Sequence, residues 1–569
     1  MIVDERPGFT ARVLDRAVAW RWKLPKATHR FRIERDLAVP MRDGITLLAD
    51  HYVPADTQGR GTILIRTPYG RGLPINMDAR LFAGHGYHVV TQSCRGSFGS
   101  GGQFTPMAAD MDDGQDTMAW LRTQPWFDGR LATYGASGVG WTQWALLVDP
   151  PPELRAAVII AGPHDATEFG LGTGAFRLHD LLTWSRVIVN QERFGLLGTM
   201  WIFARAAKLN ARTVAALPLA DAADIALGHR APWFRKWLCT SDLSDPFWGP
   251  YNASAALEKV SVPIRLVGGW QDLLLTQTMR QYDVLHERGL DVTLTVGPWI
   301  HQEVVSGANG QLARGNLDWM AEHLAGEPVT RAHQPVRIAV TGTDEWREHP
   351  HWPPPGTEQI HYLQPTGQLT MRQAQSGTSS FTYDPAHPTP TVSGPLIDNN
   401  AGVRDNCDLE SRSDVLTFTT PALPAMLEII GTPIVELDHS TSNPHADVFV
   451  RLCDVDTKGC SRNFSETFLR LDPAAGDRLL RLRLHPCAHR LAAGHRLRLQ
   501  VSGGSFPQYM RNEGTDASPG TGTELRACRH TIHHGKSRVI LPVPALACLD
   551  ACSETPGRSL VRSQPGPPF

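Results

Sequence analysis

Short runs rich in β-branched residues, each closing on turn residues, recur through the first third of the chain. They are "GTILIRTPYG" (61–70), "GYHVVTQSCRG" (86–96), "RLATYGAS" (130–137) and "LRAAVIIAGP" (154–163). "MRDGITLLADHYVP" (41–54) adds an Asp-Gly turn and a further strand-like run. A segment with helical spacing, "DDGQDTMAWLRTQPW" (112–126), stands among them, with apolar positions at Met118, Trp120 and Leu121. Strands alternating with helices predict a mostly parallel sheet covered on both faces. From about 164 to 250 the pattern becomes that of several helices with few strand signals. "VPIRLVGGWQD" (262–272) and "DVTLTVGPWIH" (291–301) then restore the strand pattern, with a helix-spaced run, "QTMRQYDVLHERG" (277–289), between them. The helical block therefore reads as an insertion into one α/β domain.

After "GEPVTRAHQP" (326–335) many short alternating strands follow, such as "ADVFVRLCDV" and "HRLRLQVSG", broken by Gly, Pro and Asn. They predict a β-sandwich or jelly roll. The expected division is an α/β domain in two pieces, 1–163 and 251–328, a helical cap at 164–250, and a β domain at 335–569. Residues 1–30 read as a helical leader, and the tail from 553 has the composition of a disordered end.

A chain of 569 residues is too long for one ordinary core, which agrees with this division. Its 55 basic and 57 acidic residues leave a net charge of −2, so the electrostatic footprint of a nucleic-acid partner is absent. No signal-peptide core opens the chain and no window of about 18 uncharged apolar residues appears, so no membrane partner is expected. Nine cysteines, an odd number, read as reduced thiols in a cytoplasmic protein.

Candidate chemistry begins at "LATYGASGVGWTQW" (131–144), where a strand-like run meets a helix-compatible one. Ser137 lies at that junction between Gly135, Ala136 and Gly138, and a tight strand-to-helix turn needs such small neighbours. The spacing departs from G-x-S-x-G, because Val139 holds the last position and the glycine comes at Gly140. A nucleophile and a serine in a glycine-rich loop are both open on this motif alone. A serine hydroxyl also needs a base, and the base an orienting acid. Asp272 follows the strand-like "IRLVGG" and His301 follows "VTLTVGPW", in the order Ser, Asp, His of α/β-hydrolases. All three would meet at the carboxyl ends of the strands, where an open α/β sheet builds its site. The amide of Gly138 is one candidate oxyanion donor. Tyr69, at the end of "RTPYG", is a candidate second donor, and reads equally as a ring packing the turn after Pro68.

With these stretches in view, the chain resembles the family of bacterial cocaine esterase, the X-Pro dipeptidyl-peptidases and the α-amino-acid ester hydrolases. "RTPYGRG", "RGSFGSGGQF", "DGQDTMAWLRTQPWFDGRLATYGASGVGWTQW", "GPWIH", "RLCDVDTKGCS" and "SFPQYMRN" carry the resemblance in family order over about 40–515. It implies an α/β-hydrolase with an inserted helical cap and a C-terminal jelly roll. It implies Ser137 as nucleophile, His301 as base, Asp272 as its partner, and Tyr69 with Gly138 as oxyanion donors, with no cofactor and no metal. Two positions depart from the family pattern. Gly138 stands where tyrosine is usual after the nucleophile, so a ring that would shape the pocket is gone. "QSCRG" replaces the usual "QDxRG", so Ser93 stands for an aspartate and Arg95 needs another partner, Asp112 or Asp113. Cys94 reads as a buried small side chain.

The segment after Asp272, "QDLLLTQ", offers Leu273, Leu274 and Leu275 and no charge for a substrate ammonium. Trp141 and Trp270 are candidate aromatic walls that read equally as core, and Phe176, Trp184, Trp201 and Phe203 of the cap are candidates to close over substrate. The expected activity is hydrolysis of a small-molecule carboxylic ester with an apolar or aromatic acyl group, through an acyl-enzyme. Amide cleavage by an acylase or X-Pro-type dipeptidyl-peptidase with the same triad is the alternative, and an inactive binding protein a second. "HPCAH" (485–489) and "CRHTIHH" (528–534) hold His485, Cys487 and His489 among candidate metal ligands, but their spacing fits no standard zinc pattern. The cap and β domain offer surfaces for a homodimer.

Overall fold

The computed structural model of the chain describes residues 4–5, 17, 19–55, 59–306, 310–328, 333–374, 376–476 and 478–545. Half of the expected helical leader, residues 1–3, 6–16 and 18, and the whole tail from 553 lie outside the described residues; of the described half, Asp4–Glu5 form a strand and 24–30 are not helical, so the leader expectation is corrected there.

Eleven strands form one mixed sheet. In chain order they are β1 (Asp4–Glu5), β2 (Phe31–Pro40), β3 (Thr46–Pro54), β4 (Thr62–Thr67), β5 (His88–Ser93), β6 (Leu131–Ala136), β7 (Leu154–Ile160), β8 (Ile264–Gln271), β9 (Val292–Ile300), β10 (Val336–Val340) and β11 (Glu345–His349). Their spatial order is β1-β2-β3-β5-β4-β6-β7-β8-β9-β10-β11. Neighbours from β5 to β10 run parallel, and the flanking pairs are antiparallel.

The alternation of side chains along each strand divides the core between two faces. Leu64, Val90, Ile159, Leu266 and Leu294 pack on one face. Their neighbours Ile63, Ile65, Val89, Val158 and Val267 pack on the other. Every residue of β4 and of β5 is buried, as expected of strands covered from both sides. The helices Asp110–Arg122 and Leu275–Glu287 fall where the helical spacing placed them.

Between β7 and β8 the chain leaves the sheet for the helices Ala166–Leu171, Leu178–Ala215, Leu219–Ala226 and Pro232–Cys239 and the 3-10 turn Pro246–Tyr251. They enclose a core of their own around Phe176, Leu182, Phe234 and Tyr251. The 38-residue helix Leu178–Ala215 bends at Gly195, whose φ of 59° breaks the helical run.

The first strands after the expected boundary at 335 join the sheet of the preceding part. β10 pairs with β9 and β11 with β10, so 336–349 extend the hydrolase sheet. This follows from pairing with a distant strand, which a local pattern of alternation does not encode. Beyond His349 the chain forms a six-stranded and a four-stranded sheet around one shared core, which includes Val435, Ile532 and Leu363 from the first and Phe418, Val450 and Leu499 from the second. A two-stranded ladder, Leu427–Gly431 with Cys487–Leu491, joins them. Among the described residues no helix is long and apolar enough to cross a membrane.

Candidate active site

β6 ends at Ala136 and a helix starts at Gly138, which leaves Ser137 as the single turn residue between them. Its φ of 56° and ψ of −123° are costly for a residue with a Cβ, and such strain persists only where the surroundings impose it. Here they do. Ser137 N–H donates to the Ile160 carbonyl at 2.9 Å, and the Ser137 carbonyl accepts from the amides of Gly140 and Trp141 at 2.8 and 3.0 Å. The side chain is thereby lifted out of the sheet. The helix also approaches the end of β7 closely, and a Cβ on residue 140 would lie 2.5 Å from Gly162 Cα. Glycine at 140 is thus a packing requirement. A Gly140→Ala variant should lose about 1–3 kcal/mol of stability by overpacking. An unchanged urea midpoint would refute that account of the turn.

Asp272 follows β8 and His301 follows β9, so adjacent parallel strands deliver both. His301 Nδ1 is 2.9 Å from Asp272 Oδ2, and His301 Nε2 is 3.0 Å from Ser137 Oγ. The second carboxylate oxygen of Asp272 accepts the Leu274 amide at 2.6 Å. Asp272 and His301 are 1% and 3% exposed, so the chain of hydrogen bonds is dry except at the serine. A neutral His301 with its proton on Nδ1 can accept the serine proton at Nε2, and the buried carboxylate stabilises the imidazolium that forms.

Tyr69 comes from the turn after β4, and its hydroxyl lies against the Ser137 side chain and the Gly138 amide. Burial raises its pKa, outweighing the hydrogen bonds from Trp184, Ser137 and Gly138 that lower it. The phenol therefore keeps its proton at neutral pH and can donate it. With the Gly138 amide it makes two donors beside Ser137.

In front of the serine lies a pocket open to solvent on one side, with about 720 Å³ of empty space when that open part is included. Leu273 and Leu274 line it, with Phe169, Phe176, Leu181 and Trp184 from the segment between β7 and β8. A further part of its wall comes from far along the chain, where Ile397 enters from the β-rich region. That loop is tied down on three sides. Gln302 Nε2 donates to the Ile397 carbonyl at 2.7 Å, Arg177 Nη2 donates to the Pro395 carbonyl at 2.6 Å, and the Ile397 amide donates to Asp180 Oδ1 at 2.9 Å. Asp180 also faces the cavity, but Arg177 pairs with its other oxygen at 2.6 Å. Its charge is already matched.

Sequence comparison agrees with this geometry. The profile of the X-Pro dipeptidyl-peptidase (S15) family matches residues 43–303, and that of the X-Pro dipeptidyl-peptidase C-terminal non-catalytic domain matches 329–539. The chain belongs to this family of serine hydrolases. Cocaine esterase of Rhodococcus sp. (strain MB1 Bresler) is 29% identical over 580 residues, covering 90% of this chain and 99% of that protein. Two solved structures share the fold. An aminopeptidase from a marine sediment Thaumarchaeota archaeon superposes with a TM-score of 0.75 at 23% identity, covering 92% of this chain and 98% of its own. An α-amino acid ester hydrolase gives 0.74 at 24% identity, covering 91% and 97%.

Several expectations for this serine hydrolase need correcting. Trp141 and Trp270 do not line the cavity; both are core residues, 1% and 2% exposed. The Trp141 indole donates to Asp110 Oδ2 at 3.1 Å, and the Trp270 indole to the Ala339 carbonyl at 2.6 Å. Nearness in sequence to Ser137 and Asp272 carried no information about which way they face. Trp201 is 54% exposed, well outside the cavity, whereas Phe203 packs against the Leu273–Leu274 cluster. Arg95 pairs with Asp113 through two nitrogens at 2.6 and 3.1 Å and with Asp43 at 2.6 Å, while Asp112 goes to Arg42. Ser93, in the place of the usual aspartate, accepts from Arg71 at 2.6 Å. Burial pushes the Cys94 thiol well above its ordinary pKa, which leaves it inert.

The His- and Cys-containing runs of the β region serve packing. His489 bonds Thr341 and Asp454, His530 meets His439, and burial raises the Cys487 thiol. Burial holds His485 down to about 3. Among the described residues no three His, Cys, Asp or Glu side chains group as a metal site would need.

Proposed function

We propose that this enzyme hydrolyses carboxylic esters whose acyl group is apolar or aromatic. Ser137 attacks the ester carbonyl while His301 takes its proton. Tyr69 and the Gly138 amide hold the tetrahedral oxyanion, His301 protonates the departing alcohol, and water then releases the acid from the acyl-enzyme. The continuous hydrogen-bonded line Asp272–His301–Ser137 is the observation that carries this reading. The same line weighs against an inactive binding protein. The apolar cavity, whose one lining carboxylate among the described residues, Asp180, is already paired, favours an uncharged acyl group over one bearing an ammonium. Amide cleavage with the same residues is the second reading, favoured by the match to the dipeptidyl-peptidase profile.

We read the β region beyond His349 as a jelly roll, the helices from 166 to 251 as a cap and the cytoplasm as the location. The seven cysteines of the described residues, all unpaired, support that location. A homodimer remains our expectation.

A fluorophosphonate probe followed by intact-mass measurement tests the central assignment. The parent should gain one adduct and Ser137→Ala none. An unlabelled parent, or a labelled Ser137→Ala variant, would overturn it. On paired substrates, kcat/KM for a benzoate ester should exceed that for the matching α-amino acyl ester at least about tenfold, since an unpaired ammonium in an apolar cavity pays its desolvation in full. Equal values would remove the argument from the cavity.

A further inference from the structure

The long cap helix Leu178–Ala215 does more than roof the cavity. Trp184 and Gln191 stand seven residues apart on it, two turns, and so project from one face. Both reach the turn that follows β4. The Trp184 indole N–H donates to Tyr69 Oη at 3.0 Å, and Gln191 Nε2 donates to the Pro68 carbonyl at 2.8 Å. An indole N–H can only donate. The Tyr69 oxygen therefore accepts on its Trp184 side and from the Gly138 amide, also a donor only, which leaves its own proton free for an acceptor beside Ser137, where the oxyanion would form. The Trp184 ring is itself held, stacked on Trp237 at 6.2 Å with the planes 29° apart.

Gly138 belongs to the same arrangement. A Cβ at that position would stand 2.7 Å from Tyr69 Oη. Glycine lets the hydroxyl settle beside the Gly138 amide, and Trp184 holds it there.

We propose that Trp184 is a positioning residue whose indole N–H fixes the Tyr69 hydroxyl as an oxyanion donor, so that the cap completes the oxyanion hole. This rests on the reading of Tyr69 as a donor to the oxyanion.

A double-mutant cycle on 4-nitrophenyl acetate tests it, because a two-carbon acyl group makes little use of the cavity wall. Tyr69→Phe alone should lower kcat on the order of 10²-fold. Trp184→Phe keeps an aromatic ring and removes the N–H; it should lower kcat about three- to tenfold, with KM within about twofold. In the Tyr69→Phe background the same exchange should change kcat less than about twofold. Gln191→Leu, which touches the turn without facing substrate, should follow the same pattern more weakly. Equal losses from Trp184→Phe in both backgrounds would mean that the indole acts by packing, and the proposal falls. A full loss from Tyr69→Phe with none from Trp184→Phe or Gln191→Leu also defeats it, and leaves Tyr69 as donor. No loss from Tyr69→Phe defeats the donor reading, and the proposal with it.

Discussion

His301→Ala will lower kcat for ester hydrolysis on the order of 10⁶-fold, and Ser137→Ala will do the same. Each removes one half of a single proton transfer across the 3.0 Å contact between Oγ and Nε2. Without the imidazole the serine stays a neutral alcohol, and without the serine the imidazole has no nucleophile to activate. The double variant should therefore be no slower than either single one. Initial rates on a chromogenic ester, with the parent's active sites titrated by the fluorophosphonate, measure all three. A loss under about tenfold in His301→Ala would show that another group accepts the proton.

Asp272→Asn should cost about 10⁴-fold in kcat, and the structure gives the reason. The Leu274 amide donates to one oxygen of Asp272 at 2.6 Å. In the asparagine variant that N–H keeps the side-chain carbonyl, which turns the amide NH₂ toward His301 Nδ1. That nitrogen must then accept. The imidazole proton moves to Nε2, where it faces Ser137 and blocks the transfer. Leu274 thus makes the exchange more damaging than loss of charge alone. A decrease below about 100-fold would mean that His301 keeps its working tautomer without Asp272.

The hydrolase half of the fold was legible because its strands are short, apolar and bounded by turns, and because buried parallel strands carry their signal in every residue. Ser137, Asp272 and His301 stood at strand ends, where topology alone brings distant positions together. Gly138 and Tyr69 were candidates from their places after the nucleophile and at a strand end, and the family resemblance favoured the donor role of Tyr69 over ring packing. Local pattern could not reveal where the sheet stops: β10 and β11 look like any alternating strands, and only their pairing with β9 assigns them. It could not tell pocket from core among the tryptophans either. Trp141 is turned toward Asp110 and Trp184 toward Tyr69, and both are aromatic residues within helices. Phe169, Leu181 and Ile397 were missed for a related cause. Helices packed on several sides have no single apolar stripe, and Ile397 reaches the site from a separate part of the chain.

The loop that carries Ile397 bears on how the enzyme is born. On the ribosome, Ser137, Asp272 and His301 all emerge well before residues 395–397. Until those residues arrive, Arg177 lacks the Pro395 carbonyl and Asp180 lacks the Ile397 amide, and the cavity stands open on that side. A nascent chain long enough to hold every reacting group is still an unfinished vessel. The acyl pocket is thus complete only after the late β-rich portion has been made and has docked, so a substrate that needs the full wall waits on the far end of the molecule.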